Sequence, residues 1–303
     1  MLISQLKQKL GDDEIFVTLL SLVLDLPKSR VLTLKQIPAR AARKTLRAAR
    51  RYKNGTPLAY ATGKWYFYEL PLRVNKHTLI PRYDTEILTQ AALSHCKTPS
   101  LPHRCKEPPL NCHCKEPPLN CHCEEPQATW QSRPAISILD LCTGSGCIAV
   151  ALAKNLTTPH NITAADKSRL ALRLARANAH LNNVRIEFVR GDLFQNLQNR
   201  RFDIVVCNPP YIATREIGTH DKTTLAEPRI ALDGGADGLD FYRKIATNSP
   251  AHLNPGGALF LETDHDQAAP VKTLLLAAGF SDITITKDLN GLDRVIAARY
   301  HKE

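Results

Sequence analysis

The tetrapeptide Asn208-Pro209-Pro210-Tyr211 directly follows an apolar run, Phe202 to Cys207. Its two prolines fix two φ angles and remove two N–H donors. What remains is a rigid edge of acceptors, the Asn208 side-chain oxygen and the Pro209 carbonyl. A planar –NH2 group carries two donors and fits that pair, and Tyr211 is the ring that can stack on its flat face. Such a site holds an amide or an exocyclic amine with its lone pair directed at an electrophile. An amide nitrogen is a poor nucleophile because its lone pair is delocalised. The work left to the protein is to hold it in line with an activated methyl group. A cofactor has to supply that methyl. No metal, nucleophilic serine or acid–base pair is required. Taken alone, Asn-Pro is also an ordinary turn former at a strand end.

A second signal lies upstream. Ile138 to Ala149 reads as an apolar strand ending in an acidic residue, Asp140, then a turn of small residues and the start of a helix. Cys142, Thr143, Gly144, Ser145 and Gly146 form the turn, and its glycines let a ligand approach the backbone closely. Free N–H groups at the helix start suit a phosphate or a carboxylate. A nicotinamide fingerprint needs a third glycine where Ala149 stands. Asp166 ends the next apolar strand, where an acid accepts hydrogen bonds from ribose hydroxyls. Asp192 and Leu193 follow the third strand, placed for an adenine amino group and the adenine ring. Singly, either acid is more readily a loop acid or a helix cap. Three strand ends along one sheet edge describe an adenosine pocket, with Asn208 one strand beyond it. A dehydrogenase leaves Asn208 to Tyr211 without a role.

The elements that must position these residues follow from the apolar periodicity. Strands are expected at 136–139, 162–165, 184–189, 202–207, 257–261, 283–286 and 294–299. Helices are expected at 146–155, 170–181, 239–253 and 271–278. Strands alternating with helices at this spacing make a parallel, doubly wound α/β sheet of Rossmann-like type. Residues 1 to about 55 read as helices, with Pro27 ending one, Pro38 opening the next, and Asn54-Gly55 closing it. Residues 65–68 and 70–74 read as a linker hairpin. Two domains are therefore expected: a small N-terminal helical domain with its hairpin, 1–74, and a catalytic domain, 75–303.

Composition narrows the class. At 303 residues and 43% hydrophobic, the chain builds a sizeable core, which excludes a wholly disordered or fibrous protein. No run approaches the roughly 18 apolar residues of a membrane span. No basic-then-apolar leader opens the chain, so a cytoplasmic, monomeric protein is expected. The net charge is +11, and Lys28 to Lys53 holds ten bases and no acid. That run is either a solvated helix face or a surface for an acidic partner, direct nucleic-acid binding included. Six of the nine cysteines fall between Cys96 and Cys123, where the nonapeptide CKEPPLNCH occurs twice in succession. Residues 96–134 read as an inserted, disordered surface loop that arose by duplication. A zinc site is the rival, but the spacings are not the usual C-x-x-C pairs.

Taken together, these segments resemble the bacterial peptide chain release factor N5-glutamine methyltransferases. The matching residues are Thr56 to Tyr60 with Gly63, Leu79-Ile80-Pro81-Arg82, Thr85-Glu86, Asp140 to Ala149, Asn208 to Tyr211, Glu227-Pro228, and Ala231 to Leu239. The resemblance implies a class I methyltransferase fold and S-adenosylmethionine as cofactor. It implies transfer of a methyl group to the glutamine side chain of the Gly-Gly-Gln motif in release factors. It places Cys142 to Gly146 at the methionine end of the cofactor, Asp166 at the ribose, Leu193 at the adenine, and Asn208 to Tyr211 at the substrate glutamine. Four segments depart from the family. Cys142 replaces glycine, and a Cβ there resists positive φ. Tyr83-Asp84 replaces Pro-Glu. Leu193 replaces an aromatic. Glu262 to His265 departs from Glu-Ile-Gly. The same tetrapeptide also serves amino-group methyltransferases of nucleic acids, so an adenine-N6 methyltransferase is the alternative, with a non-catalytic homologue as a third.

Overall fold

A computed structural model of the chain describes residue 7 and residues 13–97 and 135–301. The repeat at 105–122 lies outside the described residues. Helices α1 (Asp13–Leu24), α2 (Lys28–Thr33), α3 (Ala39–Lys53) and α4 (Leu58–Thr62) make up most of the described N-terminal residues. Pro27 and Pro38 sit at the N-caps of α2 and α3, and Gly55 follows α3 in the left-handed region at φ 87°. Helix α3 buries Ala42, Thr45, Ala48 and Ala49, a narrow strip at helical spacing, against Phe16, Leu19 and Leu20 of α1. Its other face carries Arg40, Arg43, Lys44, Arg47 and Arg50, all exposed.

A hairpin follows, β1 (Lys64–Phe67) against β2 (Leu70–Arg73). Its turn residues, Tyr68 and Glu69, are both left-handed, at φ 50° and 61°. Turns of that kind usually hold Asn-Gly. Here the Tyr68 N–H donates to Glu86 Oε1 at 2.8 Å, which ties the turn to the next helix. Phe67 and Leu72 pack into the main apolar cluster with Leu88, Ile148 and Val150. The next helix, α5 (Tyr83–Lys97), buries Cys96. Cys96 and Lys97 therefore belong to a packed helix, which moves the start of the expected insertion beyond residue 97.

The remaining elements are β3 (Ile136–Leu141), α6 (Cys147–Asn155), β4 (His160–Asp166), α7 (Arg169–Leu181), β5 (Glu187–Arg190), β6 (Phe202–Cys207), the short α8 (Lys222–Leu225), α9 (Asp240–His252), β7 (Leu253–Glu262), α10 (Ala268–Ala277), β8 (Phe280–Lys287) and β9 (Asp293–Tyr300). Among the described residues, seven strands form one sheet in the order β5-β4-β3-β6-β7-β9-β8. The first five are parallel, while β9 runs antiparallel to β7 and β8. This is the expected α/β sheet. The third strand is shorter than its apolar run because Glu187 is the first residue paired to β4. The fifth is longer, beginning at Leu253 where Phe202 pairs with it. No helix among the described residues is long and apolar enough to cross a membrane.

Candidate active site

The strand ends of β5, β4, β3 and β6 open on one cleft of about 970 Å³. At its centre is the turn after β3. Gly144 and Gly146 take φ 54° and 80°, and Cys142 itself is left-handed at φ 58°. The expectation that a Cβ would keep residue 142 out of that region is corrected. Hydrogen bonds over-determine the turn. The Thr143 N–H donates to Ala165 O at 3.0 Å, and Thr143 Oγ1 donates to Asp140 Oδ2 at 2.5 Å. The same Asp140 oxygen accepts from the Ala149 N–H at 3.1 Å. Asp140 is fully buried, its Oδ1 has no partner, and burial pushes its carboxyl up to about 7. Gly146 is needed for packing, since a Cβ there would stand 3.0 Å from Ala175 Cβ on α7.

Asp166 faces the cleft half-buried and is engaged by the backbone. Its Oδ2 accepts from the Gly144 N–H at 2.8 Å and its Oδ1 from the Ser168 N–H at 2.7 Å. Burial raises its pKa against those two bonds. Each oxygen keeps a lone pair for a ribose hydroxyl. Asp192 is exposed and pairs with Lys167 Nζ at 2.7 Å, while Leu193 is buried and left-handed at φ 52°. Leu193, Pro210, Ile230 and Phe241 supply apolar walls. An apolar slot, two rim carboxylates and an open glycine backbone at Gly144 fit an adenosyl group.

Asn208 sits where this cleft meets a second, of about 690 Å³, lined by Arg82, Pro209, Tyr211, Asp264 and Arg294. Asn208 Nδ2 donates to Thr85 Oγ1 on α5 at 3.0 Å. That bond orients the amide and leaves Oδ1 as a free acceptor. Just before Asn208, the Cys207 thiol is buried in the cluster against which Cys142 packs, and burial holds its pKa well above the usual range. Behind Asn208, the segment 231–239 clamps the chain. Ile212 N–H donates to Leu232 O at 2.9 Å and Gly234 N–H to Ile212 O at 2.8 Å. A Cβ on Gly234 would stand 2.7 Å from Tyr211 Cα, and one on Gly238 would stand 2.3 Å from Tyr211 O. Burial raises the Tyr211 phenol well above its ordinary value. Arg82 pairs with Glu227, whose buried side chain also accepts from the Ile80 N–H at 3.0 Å.

The family model "Methyltransferase small domain" matches residues 128–230. The release factor glutamine methyltransferase of Geobacter sulfurreducens is 38% identical over 83% of this chain and 75% of its own length. The chain belongs to the release factor glutamine methyltransferase family. The Xylella fastidiosa member is 34% identical over 91% of this chain and 89% of its own. Among solved structures, the hMettl16 catalytic domain in complex with the MAT2A 3'UTR hairpin 1 covers 88% of this chain and 82% of that one. Its TM-score is 0.54 at 14% identity, a likeness that shows the class I methyltransferase fold alone.

The structure thus brings the segments shared with the family onto two adjoining clefts. Cys142, Thr143, Gly144, Ser145, Asp166, Asp192, Leu193, Asn208 and Pro210 line the first, and Pro209 and Tyr211 line the second beside Asn208. Tyr211 is therefore not a wall of the adenosyl cleft. Gly146 contributes through packing. Of the departures, Tyr83 is exposed and Asp84 pairs with Arg294 at 3.4 Å. Three residues had no role in the sequence reading. Thr85 orients Asn208. Glu262 is buried beside both. Asn178, fully buried, joins Arg73 of the hairpin to Ser145 O of the cofactor turn. Each is a polar residue on an otherwise apolar helix or strand face, the one signal available for them.

Proposed function

We propose that the protein transfers a methyl group from S-adenosylmethionine to the side-chain amide nitrogen of the glutamine in the Gly-Gly-Gln motif of peptide chain release factors. The observation that carries this reading is the Asn208 amide, fixed by Thr85 at the junction of the two clefts. The cofactor supplies a methyl group on a positively charged sulfur. The first cleft holds its adenosyl part, with Asp166 at the ribose, Asp192 and Leu193 at the adenine, and Cys142 to Gly146 at the methionine end. The substrate glutamine enters through the second cleft. Asn208 Oδ1 and the Pro209 carbonyl accept its two N–H bonds, which turns the nitrogen lone pair toward the first cleft. Pro210 holds those acceptors rigid, and Tyr211 shapes the entry. The cofactor would supply the methyl carbon and leave as the neutral thioether, while the amide proton would pass to water in the second cleft. Acceptors on the amide favour this because the nitrogen becomes positive as it is methylated. Residues 1–74 are the unit that captures the release factor, and residues 75–303 carry the chemistry.

The test is to incubate the protein with methyl-labelled cofactor, a release factor, its Gly-Gly-Gln→Gly-Gly-Ala variant, and a structured RNA. Label in the unmodified release factor alone is expected. Label in adenine would replace this reading with a nucleic-acid methyltransferase. Asn208→Ala should bind cofactor normally and lose roughly 10²–10³ in rate, the worth of one preorganised contact.

A further inference from the structure

Glu262 ends β7 with 1% of its surface exposed. Its Oε2 has no hydrogen-bond partner. A buried carboxylate left half-satisfied is destabilising, and it is replaceable by an apolar residue unless it does something. Two polar side chains face it. The Thr85 hydroxyl and the Asn208 amide lie beside its carboxylate, close enough to hold its pKa down against burial. Thr85 Oγ1 also accepts from Asn208 Nδ2 at 3.0 Å. A threonine hydroxyl has one hydrogen, so receiving from Asn208 it keeps its own to offer to Glu262. An ionised carboxylate only accepts. Beside this carboxylate, only one orientation of the Asn208 amide, with Nδ2 toward Thr85 and Glu262, puts a donor rather than an acceptor against the charge. Flipped, Asn208 would set Oδ1 against the carboxylate and offer –NH2 to the substrate, donor against donor.

We propose that Glu262 is a positioning residue for methyl transfer, acting through Thr85 and Asn208 to present Asn208 Oδ1 to the substrate amide. The proposal rests on the reading of Asn208 as the amide-binding residue. It also gives Glu262 an electrostatic part. A negative charge lies directly behind the amide that holds a nitrogen becoming positive, in a site with little water to screen it.

The charged and titratable groups around Glu262 come from every packed element. Asp84 on α5 raises its pKa, Arg294 on β9 lowers it, and Cys147, Tyr211 and Tyr242 all feel its charge. Burial dominates and pushes the carboxyl up to about 7. The accept-only form is then the major one above that pH and is lost below it. Asp140 is pushed up to about 7 as well. The acid limb of the wild-type rate profile should therefore carry two protons, and the limb of Glu262→Gln one.

The experiment compares wild type, Glu262→Gln, Glu262→Asp, Asn208→Ala and the Glu262→Gln/Asn208→Ala double variant, with a release factor as substrate. Glutamine has the same shape and places a donor inside the triangle. Glu262→Gln should lower kcat roughly 10²-fold, as loss of a preorganised contact does. Its cofactor Kd should stay within about twofold, and its Tm at pH 8 should stay level or rise, since a buried charge is gone. Glu262→Asp should recover part of the rate. Added to Asn208→Ala, the glutamine should cost clearly less than it does alone, because the orienting part of its effect passes through Asn208 and only the electrostatic part remains. Near-normal kcat in Glu262→Gln would overturn the proposal. So would an equal loss in the Asn208→Ala background, or a loss that follows a lowered Tm. Should Glu262→Gln fail to fold, Thr85→Val breaks the same triangle, and an unchanged kcat there overturns the proposal equally. A wild-type protein that leaves the release factor unlabelled instead defeats the reading of the site itself, before any variant is compared.

Discussion

Arg82 and Glu227 lie 145 residues apart in sequence and meet beside the second cleft. The Glu227 side chain is 0% exposed and that of Arg82 38%. Burial raises the Glu227 pKa even against the guanidinium. Arg82→Met keeps most of the packing and leaves a buried carboxylate with one backbone donor, the Ile80 N–H. Removing one partner of a buried pair costs about 3–5 kcal/mol. Arg82 is partly solvated, so about 3 kcal/mol is the expected loss at pH 8. The loss has a ceiling, because the carboxyl can take up a proton. From an unperturbed value of 4.5, protonation costs about 1.4 kcal/mol per pH unit. The ceiling is about 5 kcal/mol at pH 8 and about 1.4 kcal/mol at pH 5.5. The sign follows from a folded pKa raised above the unfolded one. The penalty grows with pH above 4.5 and vanishes below it. Urea denaturation at the two pH values measures both numbers. A loss of equal size at pH 5.5 and pH 8 would refute the electrostatic account and leave packing as the cause. Arg82→Met/Glu227→Gln should recover most of the stability lost at pH 8.

Asp140, pushed up to about 7 by burial, opposes folding increasingly from its unfolded value to about pH 7. The stability of wild type relative to Asp140→Asn should therefore fall over that window, by up to about 1.4 kcal/mol per pH unit; a constant difference between them in thermal melts would contradict it. Cys142 at φ 58° carries a left-handed strain of about 1 kcal/mol, offset by the about 0.4–1 kcal/mol that glycine adds to unfolded-chain entropy. Cys142→Gly should thus be as stable as wild type or better by less than about 1 kcal/mol, and Cys142→Val worse by about 1–3 kcal/mol, both read from urea midpoints. Reversing Arg43, Arg47 and Arg50 to Glu should raise KM for the release factor at low salt and leave cofactor Kd unchanged, with the effect shrinking as exposed charges are screened over roughly 10 Å at 0.1 M salt. An unchanged KM at low salt would make α3 a solvated face only.

The buried parallel strands were legible because strands covered on both faces read as continuous apolar runs. Phe202–Cys207 is such a run, and its observed bounds match it residue for residue. Helix α3 was legible from its caps and its strip of alanines. The cofactor turn was legible in its glycines and not at Cys142, where local steric preference points away from the conformation adopted. What overrides it is tertiary: Asp140, Ala165 and Ala149 each hold the turn by a hydrogen bond. The hairpin was legible, but Tyr68 read as the end of its first strand, whereas it sits in a left-handed turn held by Glu86 from a different element. Thr85 and Asn208 are 123 residues apart. No spacing rule joins them, and only the packing of α5 across the ends of β6 and β7 does.

The order of the strands bears on the proposed placing of the amide acceptors at the end of β6. In the order β5-β4-β3-β6, the strand ends carry Asp192, Asp166, the Cys142 to Gly146 turn and Asn208 in spatial sequence. Neighbouring strands lie about 4.8 Å apart, so the four ends span roughly 14 Å. A nucleoside laid along that edge with its base at β5 and its ribose at β4 must present its far end at β3 or beyond. The sheet reverses direction of growth between β3 and β6, and at such a switch point the flanking loops part and leave a crevice. Leu141 pairs with Cys207 in register, which sets Cys142 beside Asn208. On the proposed reading the reacting groups are brought together by strand register rather than by loop closure, so a one-residue slip of β6 against β3 is expected to abolish transfer while leaving the adenosine half of the cleft intact.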